Sequence, residues 1–156
     1  MAPASWSACL SDAAAMTEEQ TVHATCVAWD DAAVLIQGAA GRGKSALGLS
    51  LMGMGCTLVA DDRVLLLREG GDLIARAPAT IRGIIEARGV GILQADCVDR
   101  ARVVLTVDLD HTETRRLPER RQVMLLRTEI PLIRHIEGPH LASSILQILK
   151  AGWSQR

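Results

Sequence analysis

Residues 38–45 read GAAGRGKS and fit G-x-x-x-x-G-K-[ST], a spacing in which each residue type suits a phosphate ligand. Gly38, Gly41 and Gly43 let the backbone curl through positive φ, so that successive N–H groups can point at one anion. Ala39, Ala40 and Arg42 fill the positions between them, where the side chain is free to vary. Lys44 offers a point charge to the β/γ phosphates, and Ser45 a hydroxyl to Mg²⁺. A helix starting near Lys44 adds the positive end of its dipole. The ligand implied is a nucleoside phosphate or a polyphosphate. Phosphoryl transfer from such a ligand needs positioning, charge neutralisation and a carboxylate to take the acceptor's proton. Asp61 and Asp62 follow a short apolar run, CTLVA, and so sit at the end of a strand beside the loop. In extended chain their side chains point opposite ways. One would face the acceptor while the other pairs with the metal or an arginine.

The elements around these residues read as many strands and few helices. Residues 21–29 are β-rich and predict one strand, with Asp30-Asp31 as a tight turn into a second strand at 32–37. Residues 45–54 carry apolar side chains all round, which suits a buried helix, and Gly55 sits where a helix C-cap glycine belongs. Strands are expected over 56–60, 63–68 and 73–77, the last two joined by a Glu69-Gly70-Gly71-Asp72 hairpin turn. Residues 80–87 predict a short helix or turn, and 88–93 a glycine-interrupted strand or loop. Residues 101–109 are the clearest strand, 110–121 a charged loop, and 122–127 and 129–136 two strands broken near Thr128. An amphipathic helix over 140–151 is expected to pack on the sheet. This is not the regular βαβ alternation of a doubly wound kinase.

At 156 residues and 49% hydrophobic, the chain is one domain able to build a core. Residues 1–20 are small and polar without a basic start or an apolar stretch, so a loose N-terminal arm is expected there rather than a signal peptide, with the folded domain over 21–156. A net charge of −1, no Phe or Tyr and three Trp argue against nucleic-acid partners. No apolar run approaches the length of about 18 residues that a membrane span needs. Cys9, Cys26, Cys56 and Cys97 show no zinc spacing and read as reduced thiols of a cytoplasmic protein.

Several features occur together in a particular order: His23 in VHATCV, the GAAGRGKS loop, LVADD ending at Asp62, Ala77-Pro78, and IIEARGVGI over 84–92. In this the chain resembles the catalytic domain of HPr kinase/phosphorylase, in the short form of α-proteobacteria. The resemblance implies an α/β fold of the HPr kinase/PEP-carboxykinase-like P-loop type, a mixed β-sheet with few helices. It also implies an ATP- and Mg²⁺-dependent kinase for a serine of an HPr-like phosphocarrier, within a phosphotransferase system. Phosphorylase activity releasing pyrophosphate and a homo-oligomer, usually a hexamer, belong to the same expectation. By resemblance Asp62 is the base and Asp61 its support, and His23 lies near them, influencing the base or the phosphate. A half-buried strand histidine is the plainer reading of His23. Glu86 is a candidate Mg²⁺ ligand beside Ser45, directly or through water, and Arg88 either binds phosphate or holds the signature loop by an ion pair. Gly83, Gly89 and Gly91 are conformational. Asp108 would be the usual magnesium carboxylate of a phosphate-loop enzyme, but in this family its strand lacks that role. The rival readings are a small-molecule kinase, which would show a regular parallel sheet, and a nucleotide sensor without an acceptor.

Overall fold

The structure is a computed structural model and describes residues 18–155. Eleven strands and two helices follow in the order β1 (Glu19–Val22), β2 (Ala24–Trp29), β3 (Ala32–Gln37), α1 (Lys44–Gly53), β4 (Thr57–Ala60), β5 (Val64–Glu69), β6 (Asp72–Arg76), β7 (Ile84–Ala87), β8 (Gly91–Gln94), β9 (Ala101–Thr112), β10 (Arg121–Leu125), β11 (Thr128–His135) and α2 (Leu141–Ala151). A single 3₁₀ turn, Ala79–Ile81, precedes β7.

Nine strands form one mixed sheet in the order β1-β5-β6-β9-β3-β2-β4, with β10 and β11 attached through β11 to β9. The long strand β9 is its axis. One edge pairs parallel with β3 through Arg102–Asp108; the other takes β6 antiparallel at Ala101 and Arg102 and then β11 parallel from Thr106. All other pairings in this sheet are antiparallel. Strands β7 and β8 form a separate hairpin.

The near-continuous apolar runs of β2, β3 and β9 are explained by burial on both faces. Val27, Val34, Ile36, Leu105 and Val107 face α1 and α2, while Ala24, Cys26, Ala28, Ala33, Leu35 and Val103 join a second core with β5 and β6. Val103 and Leu105 are two apart yet lie in different cores. The reason is a register shift that sets one extra residue of β9 opposite the Ala33–Val34 step of β3. Helix α2 presents Leu141, Ile145 and Leu149 at the expected spacing and packs on β2, β3 and α1.

Several expectations change. The strand expected over 21–29 is two strands, because the chain bends at His23. Strand β1 starts at Glu19 and pairs with β5, inside the stretch read as a loose arm; residues 1–17 of that stretch, with Cys9, lie outside the described residues. Helix α1 is not buried all round: Lys44, Gly48 and Leu51 are buried, whereas Ala46, Ser50 and Gly53 are exposed. Of the element expected as helix or turn over 80–87, residues 80–83 are 3₁₀ helix and turn and residues 84–87 are strand, and β9 extends three residues into the predicted charged loop. Cys26, Cys56 and Cys97 are free thiols. Among the described residues no helix is long and apolar enough to cross a membrane.

Candidate active site

The glycine-rich loop leaves β3 and enters α1 through Gly43, whose φ of 94° gives a left-handed N-cap that a side chain would strain. Gly41 lies at φ 84°, and a Cβ there or at Gly43 would meet open space. These two glycines are therefore needed for backbone conformation and not for close packing. The loop is drawn tight by a turn, Arg42 N–H to the Ala39 carbonyl at 3.1 Å. The Lys44 side chain is buried along the loop, its Nζ donating to the carbonyls of Gly38 (2.8 Å) and Ala39 (3.2 Å).

Asp61 and Asp62 occupy the bend between β4 and β5. Arg63 N–H donates to the Asp61 carbonyl at 2.8 Å, and Asp62 takes φ 71°, a region Asp tolerates better than most residues. The bend sends the two carboxylates apart. Asp61 is buried. Its Oδ1 accepts from Ser45 Oγ at 2.7 Å and from Thr25 Oγ1 at 2.8 Å, and its Oδ2 accepts from the Glu86 backbone N–H at 3.0 Å. Asp62 is exposed, with Oδ1 at 3.1 Å from His23 Nε2 and Oδ2 at 3.9 Å from Arg63 Nε. His23 is thus not a half-buried strand residue: it sits in the break between β1 and β2 with 54% of its side chain exposed, reaching across to Asp62.

One cleft of about 240 Å³ gathers these groups. It is lined by His23, Ala40, Gly41, Gly43, Lys44, Ser45, Ala46, Asp61, Asp62, Glu86 and Arg88. Glu86 and Arg88 arrive from the β7–β8 hairpin, and the Asp61–Glu86 bond ties that hairpin to the loop through one carboxylate. Among the described residues Arg88 makes no ion pair, and it lines the cleft. Gly38, Ala39 and Arg42 are not among its lining residues and lie against Asp110. There the Asp110 carboxylate accepts from Ala39 N–H at 2.9 Å and lies 3.4 Å from Arg42 Nε. Asp108 takes no part: its carboxylate engages His111 at 2.6 Å and the Asp110 N–H at 2.8 Å.

The donor set fits a hard cation carried on phosphate. A hydroxyl and carboxylates converge, while among the described residues no cluster of three or more His, Cys, Asp or Glu would hold an ion alone. Mg²⁺ characteristically uses one or two protein oxygens together with substrate phosphates and water.

Comparison with known proteins gives this geometry its relatives. The family model described as the HPr Serine kinase C-terminal domain matches residues 14–132. The chain belongs to the HPr serine kinase C-terminal domain family. The HPr kinase/phosphorylase of Streptococcus agalactiae is 35% identical over 132 residues, 76% of this chain and 42% of that protein. That of Lactococcus lactis subsp. lactis is 46% identical over 79 residues, 50% of this chain and 26% of that protein. The chain therefore spans less than half the length of these curated relatives. A solved structure, the Hpr(Ser) kinase/phosphatase from Coxiella burnetii, superposes with a TM-score of 0.69 at 28% identity, covering 84% of this chain and 88% of that one. The expected fold class, an α/β domain of the HPr kinase type with a mixed sheet and few helices, is the one observed.

For an HPr serine kinase C-terminal domain, every residue lining the cleft except Ala46 is one the sequence singles out. Two residues that hold the motif are not: Asp110, expected in a charged loop, lies in β9 and accepts from the Ala39 N–H, and Thr25 bonds Asp61 from within an apolar strand.

Proposed function

We propose that this domain is an ATP- and Mg²⁺-dependent protein serine kinase acting on an HPr-like phosphocarrier, with residues 21–156 as its catalytic part. The observation that carries the reading is the split of the aspartate pair: Asp61 bonded to the hydroxyl of Ser45, and Asp62 turned into the same cleft beside His23. Ala40, Gly41 and Gly43, which line the cleft, supply backbone N–H groups, and Lys44 a charge, to the phosphates of ATP. Ser45 would hold the Mg²⁺ through its hydroxyl and Glu86 through its carboxylate, directly or through water. When bound, the cation neutralises charge developing on the transferred group. Arg88 completes the cleft as a fork for phosphate oxygens.

Asp62 takes the proton of the acceptor serine as its oxygen bonds to the γ-phosphorus and the bond to the bridging oxygen of ADP breaks. Being exposed, Asp62 can reach a hydroxyl presented by another protein, which Asp61 cannot. His23 holds the Asp62 carboxylate in place through the contact at 3.1 Å. The further expectations of a homo-oligomer and a cytoplasmic location belong to the same proposal.

The test is mass spectrometry of the organism's own HPr-like protein after incubation with this chain, ATP and magnesium. One added phosphate on a serine is expected. ATP bound without any transfer would replace the kinase with a nucleotide sensor. Adding inorganic phosphate to the phosphorylated carrier and assaying pyrophosphate tests the phosphorylase activity named in the relatives.

A further inference from the structure

Thr25 is fully buried in β2, where the strand faces α1 and an apolar residue would be the default. Burying a hydroxyl there is costly unless it is bonded. Its Oγ1 donates to Asp61 Oδ1 at 2.8 Å, the same oxygen that accepts from Ser45 Oγ at 2.7 Å. Two hydroxyls thus converge on one carboxylate oxygen, while the Glu86 N–H holds the other at 3.0 Å. With its O–H donated in a hydrogen bond to Asp61, the Ser45 oxygen keeps its lone pairs for a ligand in the cleft it lines.

A second contact fixes Thr25 itself. Its methyl, Cγ2, lies against α1 at Gly48, where a Cβ would stand only 2.7 Å away. Gly48 is buried in mid-helix, a position where glycine is unfavourable relative to alanine by roughly 1 kcal/mol. The missing Cβ lets the methyl sit against the helix backbone. A threonine has two heavy atoms on Cβ and few rotamers; with the methyl seated on the helix, the hydroxyl is directed at Asp61.

We propose that Thr25 is a positioning residue of the phosphate site: seated on Gly48, it holds Asp61 in the orientation that presents the Ser45 oxygen to a divalent cation on a nucleotide. This rests on the reading of the cleft as a Mg²⁺–ATP site. It assigns Gly48 a role distinct from the loop glycines, as the space that seats the threonine.

The experiment measures ATP affinity with magnesium and with EDTA, together with thermal melting. The variants are Thr25→Val, Thr25→Ser, Gly48→Ala and the double Thr25→Ser/Gly48→Ala. The wild type is expected to bind ATP more tightly with magnesium. Thr25→Ser, which keeps the donor and loses the seated methyl, keeps part of that gain. Thr25→Val, which retains the shape and loses the donor, gives up roughly tenfold or more of it, the usual effect of removing a partner behind a metal ligand, while binding in EDTA stays unchanged. Gly48→Ala lowers both the melting temperature and the magnesium gain, and the double variant recovers both, because serine has no methyl to clash. This second pair carries the test should Thr25→Val fold poorly. A wild-type magnesium gain in Thr25→Val, or a double variant as impaired as Gly48→Ala, overturns the proposal. A wild-type chain that binds no ATP, or a Lys44→Ala chain that binds it equally well, removes the phosphate site and the role of Thr25 with it. That failure is visible before any Thr25 variant is made.

Discussion

Asp61 and Asp62 are neighbours in the chain and opposites in environment, one buried under three donors, the other exposed beside an imidazole. Their substitutions should therefore separate. Asp62→Asn is expected to leave ATP affinity intact and to lower the phosphorylation rate by about 10²–10⁴; an unchanged rate in a single-turnover assay would remove Asp62 as the base. Lys44→Ala should abolish transfer and sharply weaken ATP binding, measured by titration calorimetry, since its Nζ is buried along the loop whereas the Arg42 side chain is exposed and beside Asp110. Residue types and spacing made these groups legible, because the phosphate loop and the aspartate pair are local patterns whose geometry is set by a few adjacent residues. Thr25 and Asp110 were not legible in the same way. Each works through a partner dozens of residues away, and nothing near it in the chain marks the contact.

Among the elements, the β10–β11 hairpin turns at Leu126 and Arg127, both at positive φ (46° and 58°). The two-residue turn matches strand twist but is usually made by Asn or Gly, so no breaker marked it and the break was expected near Thr128. Leu126 packs against the second core, which explains a bulky residue in an unfavourable conformation. Arg127 has an exposed ion pair with Glu18 and no comparable burial. Arg127→Gly should raise stability by about 0.5–1 kcal/mol, since relief of left-handed strain outweighs an exposed pair; a lower urea midpoint at unchanged m would contradict this. The Glu69–Asp72 turn uses Gly70 and Gly71 at φ 57° and 89°, and that hairpin was readable from the sequence for the same reason the other was not.

At the scale of the whole molecule, two lowered carboxylates contribute to the acid limb of stability. Burial works against the charge on Asp108, but bonds from His111 and the Asp110 N–H outweigh it and hold the carboxyl below its usual range. Glu113 is also lowered: Arg121 outweighs desolvation there, with Nη2 at 3.1 Å from the carboxylate. A carboxyl lowered on folding stabilises fully above its unfolded value, about pH 4, and loses that contribution as pH falls through the folded value. Melting temperature should therefore drop on acidification below about pH 4, and Asp108→Asn combined with Glu113→Gln should flatten that slope. An identical acid limb in the double variant would locate the proton uptake elsewhere.

The central strand β9 meets β3 in parallel, and the contact that braces the loop, Ala39 with Asp110, joins residues 71 apart in the chain. Partners so distant close late on a folding route, after nearer hairpins have formed. Nucleotide affinity during refolding should consequently emerge in the final kinetic phase, together with native tryptophan fluorescence and not ahead of it. A nascent chain halted before residue 110 would carry every residue of the phosphate motif and still be unable to hold ATP.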